Sequence, residues 1–250
     1  MKIIVIGDLR AMLSSPNLKI WDILFEKLPE NIKKYVNNTS HIRLKNTRIY
    51  TYSLLFEALK KYFSVESPCI LRGESGKPFL KDEGGSRNIK ISLSHSDGLA
   101  SVFVSDEGCE VGIDIQKIGA SDRIDNIARR FLKAVKPSRP LSGVEIFYAE
   151  LTEEGFVFRE KSDGLSLCAV APVFGRNITS DAYLRWNYAE ALVKAEGGGL
   201  SSLPHLSSLS DILLTTSCRL DTEDSAYYIT AASYPPPRPL DPLFDTLRAD

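Results

Sequence analysis

The chain has 250 residues, of which 43% are hydrophobic and 25% are charged, and its formal net charge is -1. This composition is typical of a soluble globular protein with one large domain or two smaller ones. The near-neutral charge argues against nonspecific nucleic-acid binding, which depends on a basic surface. No apolar run reaches the roughly 18 residues of a membrane span, so we expect no membrane insertion. The four cysteines and three histidines are scattered along the sequence, which favours reduced thiols in a cytoplasmic protein over a zinc site.

The first part of the chain predicts one short strand and two helices. The strand covers residues 2–6, and apolar residues at helical spacing predict a helix at 18–28 that ends before Pro29. The same kind of spacing predicts a longer amphipathic helix at 47–63.

Three β-like runs follow, at 89–94, 99–104 and 109–115. The turn residues at 105–108 separate the last two runs, so we expect those two strands to form a hairpin. A further helix is predicted at 124–132.

The last part of the chain predicts more strands and one helix. The predicted elements are a hairpin insertion within 133–179 with strands at 155–159 and 165–171, a helix at 181–196 ended by the glycines 197–199, strands near 212–220 and 226–233, and an irregular proline-rich tail. Helices combined with antiparallel strands, without βαβ alternation, predict an α+β fold. Two halves of similar size would meet near residue 109.

The run VGIDIQ at 111–116 has a pattern that suits a metal site. Side chains alternate in a strand, so Asp114 and Gln116 share the face opposite three apolar residues. Gly112 lies on the same face and leaves room for a bulky group. Two oxygen ligands beside open space suit Mg2+, which keeps several waters. Taken alone, the pattern is more often that of an ordinary surface strand with polar residues facing outward.

A second motif lies on the predicted helix at 181–196. Trp186, Glu190 and Lys194 are spaced four residues apart and therefore share one helical face. A carboxylate with a lysine one turn later can hold a metal and neutralise a phosphate. The same spacing is also that of the commonest surface ion pair.

A third set of residues comprises GKP at 76–78 and SHS at 94–96. A lysine in a turn and a histidine between serines are reasonable phosphate contacts, or ordinary loop residues. A Ser-His-Asp hydrolase is a weaker alternative, because neighbouring residues cannot form a triad and no nucleophile elbow is present.

In this order the motifs resemble the Sfp-type 4'-phosphopantetheinyl transferases, whose pattern runs GKP, SHS, (I/V)G(I/V)D-x-E and W-x-x-K-E-x-x-x-K. The last motif stands at 186–194, and the resemblance spans roughly residues 43–232. It implies the fold of that family, in which two similar α+β halves are related by a pseudo-twofold, each an antiparallel sheet packed with helices. The halves would be 1–108 and 109–250, with 133–179 inserted in the second.

The resemblance implies transfer of the phosphopantetheine arm of coenzyme A to a serine of an apo carrier protein, releasing adenosine 3',5'-bisphosphate. Mg2+ is the expected cofactor, with Mn2+ as a possible substitute, and coenzyme A is the substrate. The expected partner is an acyl carrier protein, or a carrier domain of a fatty-acid, polyketide or nonribosomal-peptide synthase. The enzyme is expected to be a monomer.

The resemblance also implies roles for individual residues. Asp114, Glu190 and Gln116 are the expected metal ligands. Glu190 would accept the proton of the serine, and Lys194 would stabilise the phosphate charge, so these two and Asp114 form the expected catalytic set. The expected contacts to coenzyme A are Arg43, Arg48, Lys77, Pro78, Ser94 and His95.

The chain departs from the family pattern at two positions. Gln116 replaces an acidic metal ligand, which predicts weaker metal binding, and Ala189 replaces the lysine before the catalytic glutamate. The segment 133–179 also lengthens the spacing between motifs, which predicts an altered carrier preference. These departures leave open a degenerate member that binds coenzyme A or a carrier protein without transfer. An unrelated α+β binding module is the remaining alternative.

Overall fold

The computed structural model describes residues 1–14, 18–81, 88–119, 124, 126, 139–152, 155–160, 166–168, 182–197, 213–222 and 224–234. The predicted proline-rich tail and all but two residues of the helix predicted at 124–132 lie outside these ranges. Within them, none of the helices combines the length and the apolarity that crossing a membrane would require.

The described elements do not follow a βαβ rhythm, because four helices follow the first strand in succession and nine strands come next. The helices are α1 (Arg10–Ser14), α2 (Leu18–Glu26), α3 (Glu30–Asn37), α4 (Ile42–Phe63) and α5 (Ala182–Glu196). The strands are β1 (Lys2–Asp8), β2 (Ile70–Arg72), β3 (Pro78–Leu80), β4 (Lys90–Ser96), β5 (Leu99–Ser105), β6 (Val111–Lys117), β7 (Arg139–Pro140), β8 (Val144–Thr152), β9 (Gly155–Glu160), β10 (Ser166–Cys168), β11 (Leu214–Asp221) and β12 (Ala226–Ser233). The predicted α+β class is confirmed.

Two five-stranded sheets form the centre of the fold. The first has the order β4-β5-β1-β8-β9, and the second is built on the path β10-β11-β12-β6 with β7 beside β11. Strands β8 and β9 follow residue 109 in the chain but extend the first sheet. Because β8 runs parallel to β1, and β7 runs parallel to β11, both sheets are mixed. The expectation of purely antiparallel sheets is therefore wrong.

The two sheets pack face to face, with helices outside both. On β1, Ile3 and Val5 face the core under α2, α3 and α4, whereas Ile4 and Ile6 face the second sheet. This period-two alternation is that of a strand buried on both faces. Helix α5 packs on the outer face of the second sheet, so the layers run helix, sheet, sheet, helix.

The predicted hairpin between 99–104 and 109–115 is wrong. Strand β5 pairs with β1 and β4, whereas β6 pairs with β12 in the other sheet. The hairpin that forms instead joins β4 to β5 through Asp97 and Gly98, whose φ angles are +40° and +89°. A two-residue Asp-Gly loop with positive φ at both positions matches the right-handed twist of the flanking strands.

A hairpin is present within 133–179, as predicted, but it joins β8 to β9, and the two predicted runs do not pair with each other. Strand β9 pairs with β8, and β10 pairs with β11. The two runs therefore belong to different sheets, a choice that depends on the free sheet edges they reach. Residues 161–165, between the two strands, lie outside the described residues.

Alternate serines of β4 hold the two sheets together beside the site described below. The hydroxyl oxygens of Ser92, Ser94 and Ser96 accept hydrogen bonds from the backbone N–H groups of Ile113, Ile115 and Lys117, at 3.0, 3.2 and 3.0 Å. These N–H groups lie on the edge of β6 that does not pair with β12. The serine hydroxyl oxygens thus accept the hydrogen bonds that the backbone of a neighbouring strand would otherwise accept, so these N–H groups keep hydrogen-bond partners.

Candidate active site

A cleft of about 540 Å³ lies between α4, the β2–β3 hairpin, β4, β6 and α5. Its lining includes all but one of the predicted site residues. The predicted residues that line it are Arg48, Lys77, Pro78, Ser94, His95, Asp114, Gln116, Glu190 and Lys194. The four sequence motifs, of which three lie within 76–116 and the last at 186–194, thus meet in one place. Trp186 also lines the cleft, as its helical spacing with Glu190 and Lys194 predicts.

The exception is Arg43, which the structure does not bring into the cleft lining. Its guanidinium donates to Asp97 in the β4–β5 turn at 3.0 Å and is more than half exposed. Asp97 also accepts from Lys117. In this structure Arg43 holds the turn rather than contributing to the cleft.

Asp114 is the most enclosed charged group of the site, with only 5% of its surface exposed. One carboxylate oxygen, Oδ1, accepts from the Ser94 hydroxyl at 2.8 Å and from the Lys194 ammonium at 2.6 Å. The other, Oδ2, accepts from the Asn187 amide at 2.8 Å. Three donors therefore hold a carboxylate that faces the cleft from a nearly buried position.

Glu190 and Lys194 lie one helical turn apart on α5, with their charged atoms 3.7 Å apart. Burial raises the pKa of Glu190, and the neighbouring charge of Asp114 raises it further, while Lys194 opposes both effects. A carboxylate with a raised pKa is a better proton acceptor. The pair has the properties of a base beside a fixed positive charge.

The space next to Gly112 is filled by protein, not open to a ligand. A Cβ atom at this position would lie 2.1 Å from the carbonyl oxygen of Ala191 and 2.3 Å from the backbone nitrogen of Ala195. Glycine is therefore required for the close approach of α5 to β6. The expectation that Gly112 leaves room for a bulky ligand is corrected: the bulky neighbour is the helix that carries Glu190 and Lys194.

His95 reaches the cleft with an exposed ring, yet the surrounding protein limits its hydration. This effect lowers the pKa of His95, and the positive charges of Lys194 and Arg48 lower it further. The ring is therefore neutral near pH 7 and offers one donor and one acceptor rather than a charge.

Lys77 ties the GKP turn to the end of α5. Its ammonium donates to Glu110 at 2.8 Å and to the carbonyl oxygen of Ala195 at 2.9 Å. A lysine on a last-turn carbonyl satisfies the helix C-terminus. Burial lowers the pKa of Lys77, and Glu110 opposes that effect. With two of its three N–H groups used, Lys77 keeps one for a ligand.

The sequence interpretation missed a cluster of cationic and aromatic side chains in the cleft. The Arg72 guanidinium lies 3.8 Å from the centroid of the Tyr35 ring, and the Arg48 guanidinium lies 4.6 Å from it. Arg72 also donates to the Tyr52 hydroxyl and to the Gly76 carbonyl. Residue spacing could not have found this cluster, because its members come from three separate elements.

Asn187 is a second residue that the sequence interpretation missed. It is fully buried although it is polar, and it follows Trp186 directly in the fourth motif. A polar residue on the buried side of a helix was the one available signal, but the buried side cannot be identified when α5 carries apolar residues around most of its circumference.

The donor set of the cleft fits a hard cation with few protein ligands. Asp114 and Glu190 supply carboxylate oxygens, and Gln116 lines the same cleft with an amide. Among the residues that the structure describes, no three His, Cys, Asp or Glu side chains cluster as a metal site. Mg2+ is commonly held by only one or two carboxylates, with water and substrate phosphates completing its shell. The residues present therefore fit Mg2+ better than a metal that needs a closed protein cage.

Compared with protein-family models and with curated proteins, the chain matches none.

Proposed function

We propose that this protein is a Mg2+-dependent 4'-phosphopantetheinyl transferase that moves the arm of coenzyme A onto a serine of a carrier protein. The observation that carries this proposal is the convergence of the four resembling motifs on one cleft. Residues 76–78 and 186–194 lie more than 100 positions apart, and no local rule of structure brings them together.

The size and charge of the cleft support a phosphorylated ligand such as coenzyme A. Its volume of about 540 Å³ lies within the range of about 300–1,000 Å³ usual for small-molecule sites. Arg48 and Arg72 offer guanidinium groups, which bind phosphates in a fixed, two-pronged geometry. Lys77 and Lys194 add two ammonium groups to the lining. A ligand with three phosphates, such as coenzyme A, matches this concentration of cations.

The reaction makes one bond and breaks another at the β-phosphorus of coenzyme A. The serine oxygen of the carrier forms the new bond, and the bond to the bridging oxygen breaks, which releases adenosine 3',5'-bisphosphate. Glu190 accepts the serine proton, a role that its raised pKa favours. Lys194 neutralises charge on the phosphate oxygens. Most of the rate enhancement would come from positioning and charge neutralisation.

Asp114 and Glu190, with Gln116, would hold Mg2+ in this site. The ion would supply positive charge that neutralises the pyrophosphate. Lys194 already donates to Asp114 and lies within 3.7 Å of Glu190, so its ammonium keeps the two carboxylates together before a metal binds.

The departure at Ala189 has a packing explanation in this chain. Ala189 is fully buried in the cluster that α5 forms with Leu213 and Ala232. A lysine at this position would have to extend its charged end from a buried Cα position to solvent, and any burial of the charge costs free energy. The positive charge of the site instead comes from Lys194 and from Arg48 and Arg72 in the cleft lining.

The test is the intact mass of a panel of apo carrier proteins after incubation with the protein, coenzyme A and Mg2+. We expect a gain of one phosphopantetheine that EDTA abolishes and that Glu190→Gln removes. Glu196→Gln is the matched control, because Glu196 lies on the same helix but is exposed and outside the cleft lining. Coenzyme A binding without transfer on any carrier would indicate a degenerate member instead. No binding of coenzyme A would favour an unrelated binding module.

A further inference from the structure

Asn187 donates a hydrogen bond to Asp114, although the motifs assign no role to Asn187. Asn187 occupies an unspecified position of the W-x-x-K-E pattern, yet its side chain is fully buried. Its amide nitrogen lies 2.8 Å from Oδ2 of Asp114. Ser94 and Lys194 both bind the other oxygen, Oδ1. Asn187 is thus the described donor that holds Oδ2.

A chain of hydroxyl groups fixes the direction of this amide. Thr230 on β12 donates to the amide oxygen of Asn187, and its hydroxyl oxygen lies 2.8 Å from that of Ser217 on β11. A hydroxyl carries a single hydrogen, so Thr230 can only accept from Ser217 once it donates to Asn187. Every hydrogen in this chain therefore points toward Asp114.

We infer that Asn187, held in place by Thr230, is a positioning residue that orients the Asp114 carboxylate for metal binding. The torsion that turns a carboxylate about its last carbon–carbon bond is broad. Donors on Oδ1 alone leave that rotation poorly restrained, and the bond to Oδ2 opposes it. Loss of an outer partner of a metal ligand typically weakens metal binding by about 10- to 100-fold.

The inference rests on the proposed function only in that the cleft is taken to bind Mg2+. A purely structural role for Asn187 makes a different prediction. A buried amide needs hydrogen-bond partners in any protein, so removing one would lower stability without changing metal affinity in the folded protein. Metal affinity, measured on protein shown to be folded, separates the two roles.

The decisive comparison uses Thr230→Val, which removes the hydroxyl at nearly constant volume, and Thr230→Ser, which keeps it. Thr47→Val is the matched control, because Thr47 is a buried threonine whose hydroxyl donates to a carbonyl of α4 away from the cleft. Mn2+ binding, as a paramagnetic substitute for Mg2+, is titrated by electron paramagnetic resonance with coenzyme A present. We expect about tenfold weaker binding in Thr230→Val, near wild-type binding in Thr230→Ser, and no change in Thr47→Val.

Equal Mn2+ affinity of wild type and folded Thr230→Val would overturn the inference, as would an equal loss in Thr230→Ser. Should Thr230→Val not fold, Asn187→Ala removes the donor itself and carries the same expectation. The inference is also overturned if wild-type protein binds no Mn2+, or if its Mn2+ binding persists in Asp114→Asn. Failure of the proposed function is recorded separately, as the absence of phosphopantetheine transfer by wild-type protein that still binds Mn2+.

Discussion

Replacing Gly112 by alanine tests how closely the site depends on the contact between α5 and β6. The new Cβ atom would lie 2.1 Å from the Ala191 carbonyl oxygen and 2.3 Å from the Ala195 nitrogen. Both partners are backbone atoms and cannot turn aside as a flexible side chain would. Ordinary contact begins at 3.4 Å, so the helix must move by more than 1 Å.

This movement would occur where it matters most for the proposed chemistry. Ala191 and Ala195 directly follow Glu190 and Lys194 in sequence, so a shift of the helix moves both catalytic candidates away from Asp114. Overpacking of this kind costs about 1–3 kcal/mol of unfolding free energy. A misplacement of about 1 Å at a catalytic centre can lower the rate about 100-fold. We therefore expect activity to fall much further than stability.

Two measurements on the same preparation check this expectation. Denaturant unfolding followed by circular dichroism gives the loss of stability, and the carrier-mass assay gives the rate of transfer. Gly119→Ala is the matched control, since no atom of the residues that the structure describes lies within 4 Å of the Cβ position there, and we expect it to stay within about 0.5 kcal/mol of wild type. A Gly112→Ala protein with wild-type stability and rate would refute the packing argument. A destabilised protein with an undiminished rate would refute the link from packing to catalysis.

Three further predictions concern other parts of the site. Burial raises the folded-state pKa of Glu190, so the folded protein binds more protons than the unfolded chain between the ordinary pKa and the raised one, and stability falls as the pH rises through that window. In denaturant unfolding, Glu190→Gln should therefore be more stable than wild type at pH 7 but not at pH 4. An equal difference in stability at both pH values would contradict the raised pKa of Glu190. Ser92→Ala leaves the buried N–H of Ile113 without its partner and should lower the unfolding free energy by about 1–3 kcal/mol, whereas an unchanged denaturation midpoint would show that the serine contacts between the sheets contribute nothing. Arg72→Met should weaken coenzyme A binding by about 10-fold or more in calorimetry, because one charge-assisted contact is worth about 1.5–3 kcal/mol, and binding at wild-type strength would exclude the Arg72–Tyr35 cluster from the ligand site.

Local periodicity predicted most of the elements well. The strand at 226–233 is found as predicted, and the helix predicted at 181–196 is found at Ala182–Glu196, with residue 181 outside the described residues. Helix α4 begins at Ile42 instead of residue 47. The prediction began too late because the polar stretch before residue 47 carries little apolar periodicity. The extension places Arg43 and Arg48 on the same helix, five residues apart, and so directs them to different surroundings.

The pairing of strands was predicted much less well. The Asp97–Gly98 turn is a strong hairpin signal that the sequence interpretation passed over in favour of the longer turn at 105–108. A residue of the longer turn instead forms an ion pair at strand β1's end of the first sheet, since the amino group of Met1 lies 2.6 Å from Asp106. Which strands pair depends on edges that distant segments supply, and a single sequence does not show them.

The candidate site divides in the same way between sequence and structure. The sequence by itself determined that Asp114 and Gln116 share one strand face and that Trp186, Glu190 and Lys194 share one helix face, because both follow from the repeat of a single element. Only the tertiary structure decided that the helix face meets the strand face. That meeting requires the absence of a side chain at Gly112, and its consequences, such as the hydrogen bond from Asn187 to Asp114, depend on distances between elements that no local pattern encodes.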